Sequence, residues 1–453
     1  MEASNKNGVE LTVNELETVL IQPHEETNVG GFYFLSNLDQ NLAQLIVQTI
    51  YCFDGNKTNK DGNDDDAAKV IKESLAKVLV HYYPLAGRLE MSSDGKLFVR
   101  CSGEGVVFVE AEADQELTAL GDISVVPHPK NLGKLVHTYP DHAHKILELP
   151  LLTVKVTKFK CGGFVLGIVV NHCMVDGITA MEFINSWAEI ATGVPLSVHP
   201  FIDRSILKSR QPPRIEFSHR EFEEMDDLSG LAAQYRDEEM TYRSFCFSPE
   251  SVARLRRLAL EDGAISNCTS FTLVAAFVWR ARTKALRMVA NQQTKLLIVV
   301  DGRSKFDPPM PSGYFGNVVV LACSLCSAGE LVEKPLSFAV RMVQDSLKMV
   351  TEEYIRSGID YYQVKRARPT LKATLFITAW TRLAFDTTDF GWGKPIQTGP
   401  VHIPDDAIAL FLAHRNSSNA GKSMNVMMGL PATAMETFQE LMQVRGMWEL
   451  MMK

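Results

Sequence analysis

Two periods of apolar spacing run through this chain, and the switches between them mark its elements. From Ala67 to Tyr83 the residues Val70, Ile71, Leu75, Val78, Leu79 and Tyr82 recur at helical spacing. Asp64 to Asp66 favour the positive end of that helix dipole, and Pro84 stops the run. The stretch Phe164 to Val170 carries no polar side chain, so it reads as a strand covered on both faces, because a half-exposed strand would alternate. Beyond Gly177, residues Met181, Ile184, Ala188 and Ala191 mark an amphipathic helix that Gly193 can end.

From Pro195 to Asp227 periodicity gives way to prolines 195, 200, 212 and 213 and many charges, which suits a crossover between domains. The expected partition is an N-terminal domain at 1–194, a linker at 195–228 and a C-terminal domain at 229–453, with the boundary near residue 215. The second half resumes with a strand at Tyr242–Phe247 and a helix that has Ser248 as N-cap and Pro249 at its first position. Helices at 270–286, 336–351 and 432–444 alternate with strands at 296–300, 318–324, 375–380, 408–413 and 424–429. Both halves therefore predict sheets covered by helices, an α/β or α+β class.

Length supports two domains, since 453 residues exceed one ordinary core. With 46% apolar and 22% charged residues the composition is that of a globular protein, and the formal charge of −8 argues against nucleic acid. Met1 to Thr12 lacks the apolar stretch of a secretory signal and no window is long enough to span a bilayer, so a cytoplasmic location is expected. The eight cysteines read as reduced side chains, and Cys323-x-x-Cys326 as two packed thiols without a second metal-type pair. The glycosylation patterns at Asn56, Asn267 and Asn416 are discounted for want of a signal peptide, residues 54 to 66 read as a solvated loop, and the tail Met447 to Met452 as a continuation of the last helix.

The candidate chemistry lies in Asn171-His172-Cys173-Met174-Val175-Asp176-Gly177, at the exit of the buried strand. Imidazole titrates nearest neutrality, so a fixed His172 can accept a hydroxyl proton and return it. A core histidine or half of a metal pair would also fit a lone His-x-x-x-Asp, but a metal wants a third ligand that the spacing does not offer. Cys173 points to the opposite face of the strand and reads as packing. Gly313 to Asn317 and Asp389 to Gly393 continue into no phosphate-loop lysine and read as turns with aromatic anchors.

In order, the chain holds Tyr83-Pro84-Leu85-Ala86-Gly87-Arg88, His172-x-x-x-Asp176-Gly177, Asp301-Gly302-Arg303-Ser304, Gly313-Tyr314-Phe315-Gly316-Asn317 and Asp389-Phe390-Gly391-Trp392-Gly393. This set resembles the plant BAHD acyltransferases, which move acyl groups from coenzyme A thioesters to alcohols or amines. The resemblance implies a two-domain, chloramphenicol acetyltransferase-like α/β fold, each domain a mixed sheet covered by helices, with a substrate channel between. It implies that His172 is the general base, with no acyl-enzyme, and that Asp176 supports the His loop by pairing with an arginine, expected to be Arg303. Asp389, Gly391 and Gly393 are then structural, and Trp392 and Thr378 are candidate donors to the oxyanion. Thr269, Ser270, Ser304 and Lys305 are expected on the coenzyme A side. Acyl-CoA is the implied co-substrate, with no bound cofactor, no metal and a monomeric chain.

The resemblance places Val29, Gly31, Tyr33, Lys365 and Trp380 around the acceptor. Shikimate-using relatives carry an arginine thirteen residues before the position of Thr378, where this chain has Lys365, and polar Thr and Ser where it has Val29 and Gly31. A less polar wall suits an omega-hydroxy fatty acid or fatty alcohol, each buried methylene adding about 0.8 kcal/mol. The stretches Gly30 to Gln40, Cys161 to Gly167 and Ala432 onward look like the branch that feruloylates such acceptors. The reading is thus hydroxycinnamoyl, specifically feruloyl, transfer to a long-chain alcohol. A polar acceptor such as shikimate or quinate is second, and a catalytically silent binding or regulatory member third. Arg366 and Arg368, beside Lys365, remain available to an acceptor carboxylate.

Overall fold

The computed structural model describes residues 10–27, 29–55, 66–123, 129–139, 146–413 and 423–442. Asn56, Asn416, the tail Met447 to Met452 and most of the expected loop at 54–66 lie outside them.

Two six-stranded sheets carry the fold. The first has the order β1 (Val13–Ile21), β6 (Val106–Ala113), β7 (Leu152–Lys158), β8 (Phe164–Asn171), β3 (Ile46–Phe53), β13 (Gln397–Pro400). The second has the order β11 (Val319–Ser327), β10 (Gln293–Asp301), β12 (Thr374–Ala379), β14 (Ile408–Ala413), β15 (Met424–Pro431), β9 (Met240–Phe247). A small third sheet joins β2 (Phe32–Phe34), β5 (Leu97–Arg100) and β4 (Arg88–Met91).

The apolar run that signalled a covered strand is β8, buried at every position between antiparallel β7 and β3. On one face the helices Ala67–His81 and Gly177–Ala191 bring Ile71, Leu75, Val78, Ile184 and Trp187 against Leu166 and Ile168. Trp187 Nε1 donates to Ser74 Oγ at 2.9 Å, which pins the two helices together. On the other face Val165 and Val169 meet Leu135 and Val136. In the second sheet the helices Ser270–Ala285 and Leu336–Lys348 cover Leu296, Ile298, Leu375 and Ile377 with Leu273, Phe277 and Val343. The opposite face presents Leu410, Met427 and Trp380.

Residues 229–453 do not form one contiguous unit, and here the structure corrects the expected partition. β13 pairs antiparallel with the outer edge of β3, completing the first sheet from the second half of the chain. Just before it, Phe390 packs edge-on to Phe53 and Trp187, with ring centroids 6.0 and 5.2 Å apart. The reason is physical: β3 would otherwise expose an unpaired edge and its aromatic layer an uncovered flank.

Candidate active site

Backbone bonds fix the turn that leaves β8. Asn171 Nδ2 donates to the Ala43 carbonyl at 2.9 Å, its Oδ1 accepts from Cys173 N at 3.0 Å, and His172 N donates to the Leu45 carbonyl at 2.9 Å. From Asn171 to Asp176 every residue is buried except His172, which keeps part of its surface exposed. Burial pulls the imidazole below its ordinary value of 6.5, an effect opposed by its own backbone carbonyl and the charge on Asp176.

Asp176 does not face the imidazole as a partner. Its carboxylate caps the helix Gly177–Ala191, accepting from Thr179 N at 3.0 Å, and takes Val318 N at 3.0 Å. Arg303 grips it with two bonds, Nη1 to Oδ2 at 2.8 Å and Nη2 to Oδ1 at 2.9 Å. Burial alone would raise this carboxyl, but the guanidinium and the hydrogen bonds outweigh it and hold the group below the usual carboxylate range. Arg303 also reaches Thr179 Oγ1 and the Gly316 carbonyl, so one guanidinium ties the His loop to the second domain.

Next to Val318, Asn317 meets His172 from the other side. Its Oδ1 lies 3.2 Å from His172 Nδ1 and its Nδ2 donates to the His172 carbonyl at 2.8 Å. The same residue donates through N and Nδ2 to Asp39 Oδ1, at 3.0 and 2.9 Å. Asp39 Oδ2 in turn lies 3.2 Å from Arg204 Nη1, both side chains fully buried. Arg204 also donates to the carbonyls of Phe315, Cys173 and Met174 at 2.7, 2.9 and 2.6 Å, and its guanidinium stacks 4.7 Å from the Tyr33 ring.

Sequence reasoning missed Arg204 and gave no role to Asp39 or Asn317. Asp39 and Asn317 sit inside stretches that resembled the family, Gly30 to Gln40 and Gly313 to Asn317. Arg204 lies in the crossover, where a charge among prolines signals solvent.

The other expected site residues are spread over several elements. Thr378 and Trp380 share the face of β12 opposite buried Ile377, and Trp380 packs on Phe385, which reaches Tyr51 of the first sheet. From the turn between them Leu383 presses on Gly177, where an added Cβ would stand 2.7 Å from its Cδ1. Trp392, by contrast, is remote from the imidazole. It packs edge-on to Phe164 at 5.4 Å, at the opposite end of β8 from His172 and so about 25 Å of strand away, which removes it as an oxyanion donor. Asp389 accepts from Gly391 N and Gly393 N at 2.8 and 2.7 Å and shapes that turn.

Tyr33 is interior, its hydroxyl donating to the Phe315 carbonyl at 3.1 Å rather than standing open to a ligand. Gly31 is partly buried, while Val29 is 60% exposed, beside Gly103. Lys365 ends the helix Glu352–Lys365 on the surface, Arg366 donates to the Asp94 carbonyl, and Arg368 donates to Gln44 Oε1, next to the Leu45 carbonyl that holds His172 N. Thr269 caps the helix Ser270–Ala285, Ser270 Oγ accepts from Arg256 at 3.2 Å, and Ser304 and Lys305 are exposed in a single helical turn with Arg303.

Cys173 is fully buried, and burial pushes its thiol well above the ordinary range. Cys323 and Cys326, three positions apart on β11, project from opposite faces, and burial raises both thiols to about 12. Among the described residues no group of three His, Cys, Asp or Glu side chains is placed to hold a metal, and no helix is long and apolar enough to cross a membrane.

Comparisons with known proteins bear on the family and the fold. A sequence model of the Transferase family matches residues 11–444. The chain is 55% identical over 447 residues to omega-hydroxypalmitate O-feruloyl transferase of Arabidopsis thaliana, covering 97% of this chain and 95% of the relative. It is 49% identical over 436 residues to fatty alcohol:caffeoyl-CoA acyltransferase of the same plant, covering 96% and 99%. In fold it is similar to vinorine synthase, with a TM-score of 0.71 at 24% identity over 94% of this chain and 96% of that one. TRI101 of F. graminearum, complexed with coenzyme A and deoxynivalenol, gives 0.68 at 14% identity over 92% and 98%. Match length, identity and the ordered His172, Asp176 and Arg303 together establish that the chain belongs to the Transferase family of BAHD acyltransferases and is an acyltransferase.

Proposed function

We propose that the protein transfers a hydroxycinnamoyl group, preferentially feruloyl, from its coenzyme A thioester to the hydroxyl of an omega-hydroxy fatty acid or fatty alcohol. The observation that carries the reading is the exposure pattern at the strand exit: a rigid, buried loop leaves only His172 accessible. Substrate class is supported by the two Arabidopsis relatives named for omega-hydroxypalmitate and fatty alcohols.

His172 takes the acceptor's hydroxyl proton as the oxygen attacks the thioester carbonyl. The tetrahedral oxyanion collapses, breaks the carbon–sulfur bond and expels the coenzyme A thiolate, which takes the proton back from the imidazolium. Thr378 is assigned as an oxyanion donor. Asp176 and Arg303 hold the loop without touching substrate. Thr269, Ser270, Ser304 and Lys305 are assigned to coenzyme A, and Val29, Gly31, Trp380 and Lys365 to the acceptor, with Arg368 bonded to Gln44, the neighbour of the Leu45 that anchors His172 N.

Purified protein incubated with feruloyl-CoA and caffeoyl-CoA against 16-hydroxypalmitate, a fatty alcohol and shikimate tests the assignment. Long-chain feruloyl ester is the expected product. Efficient shikimate ester without lipid ester would overturn the acceptor class, and no coenzyme A release with any pair would overturn the reaction.

A further inference from the structure

We propose that Asn317 is a positioning residue that keeps the His172 hydrogen on Nδ1, leaving the Nε2 lone pair as the base that meets the acceptor hydroxyl. The inference rests on His172 being that base.

The orientation of the Asn317 amide follows from what surrounds it. Its Nδ2 lies 2.9 Å from Asp39 Oδ1 and 2.8 Å from the His172 carbonyl, two oxygens that serve as acceptors, so both amide hydrogens are committed there. A reversed amide would set an oxygen against two oxygens. Oδ1 is therefore the atom facing His172 Nδ1 at 3.2 Å, and since an amide oxygen only accepts, Nδ1 must donate. The tautomer of an imidazole is set by the bond its other nitrogen makes, so Nε2 is left free.

Asp39 is held just as firmly. Ser36 N and Oγ each donate to Oδ2 at 2.7 Å, the Asn317 backbone N–H adds a bond to Oδ1 at 3.0 Å, and Arg204 supplies the opposing charge at 3.2 Å. Four segments distant in sequence thus converge on one imidazole nitrogen: the helix start at Ser36, the β8 exit, the crossover arginine and the Gly313 to Asn317 turn. In the reaction the acceptor proton passes to Nε2, and the imidazolium keeps its Nδ1 hydrogen directed at Asn317 until the thiolate takes the transferred proton.

Long-range proton–nitrogen NMR correlation of the imidazole rings reads the tautomer directly, with His172→Gln identifying the His172 signals among eleven histidines. The full-length wild type should show His172 with hydrogen on Nδ1 at a pH where the ring is neutral. In Asn317→Ala that dominance should be lost, and kcat should fall by about 10²-fold while KM for the acyl-CoA stays within about twofold. Nε2–H in the wild type overturns the proposal without recourse to any variant. So does an Asn317→Ala protein that keeps both tautomer and kcat. Undiminished turnover in His172→Gln would instead overturn the base assignment, a failure separable from that of Asn317.

Discussion

Arg303 and Asp176 face each other fork to fork across the two domains, and the same carboxylate caps the helix that follows the His loop. Taking one partner from a buried pair leaves a charge without compensation, at a cost of about 3–5 kcal/mol. Asp176→Ala should lose about that much, measured by denaturant titration. Asp176→Asn should lose less, because asparagine still caps. The double variant with Arg303→Ala should lose less than the sum of its singles.

His172→Ala should reduce turnover by roughly 10²- to 10⁴-fold with an unchanged unfolding midpoint, because the imidazole contributes chemistry rather than core. Steady-state kinetics beside thermal unfolding separate the two effects.

Burial lowers the His172 pKa, so the neutral base persists below the usual histidine range, and the acid limb of kcat/KM should have its midpoint under 6.5. The sign for stability follows the same depression. Between the lowered value and about 6.5 the unfolded chain binds more protons than the folded one, so this group makes stability rise with pH through that window and fall as the medium is acidified. A pH series of activity and of unfolding free energy checks both.

Gly167 lies in β8 where an added Cβ would stand 2.0 Å from the Leu135 carbonyl oxygen. Gly167→Ala should cost about 1–3 kcal/mol or more and displace the strand that carries His172. Reduced kcat together with a lowered unfolding midpoint is the expected pair of readouts, and wild-type behaviour in both would count against a rigid β8.

Trp392 fills core beside Phe164. Trp392→Ala should cost about 3–5 kcal/mol of stability, whereas the milder Trp392→Phe should keep near-normal kcat at low temperature. A kcat collapse in a well-folded Trp392→Phe would restore a role in oxyanion binding.

Much of the frame was legible in the chain. β8 announced itself because a strand buried on both faces has no polar side to show, and the helices around it because their apolar faces repeat. The pairing of Asp176 with Arg303 was expected from the family resemblance, and the structure supplies its geometry. What stayed hidden depends on tertiary convergence. β13 is a short Gln-Thr-Gly-Pro segment without a pattern of its own, recruited by an open edge. Arg204 becomes interior only because Asp39 and three carbonyls surround it.

The late origin of β13, Phe390 and Trp392 has a consequence for how the polypeptide is made. As the chain emerges from the ribosome, the first sheet waits with its β3 edge bare and its aromatic layer incomplete until Phe390, Trp392 and β13 have been made. An N-terminal half cut at residue 215 would keep that nascent vulnerability permanently. It should therefore associate through the open edge rather than persist as a separate folded piece.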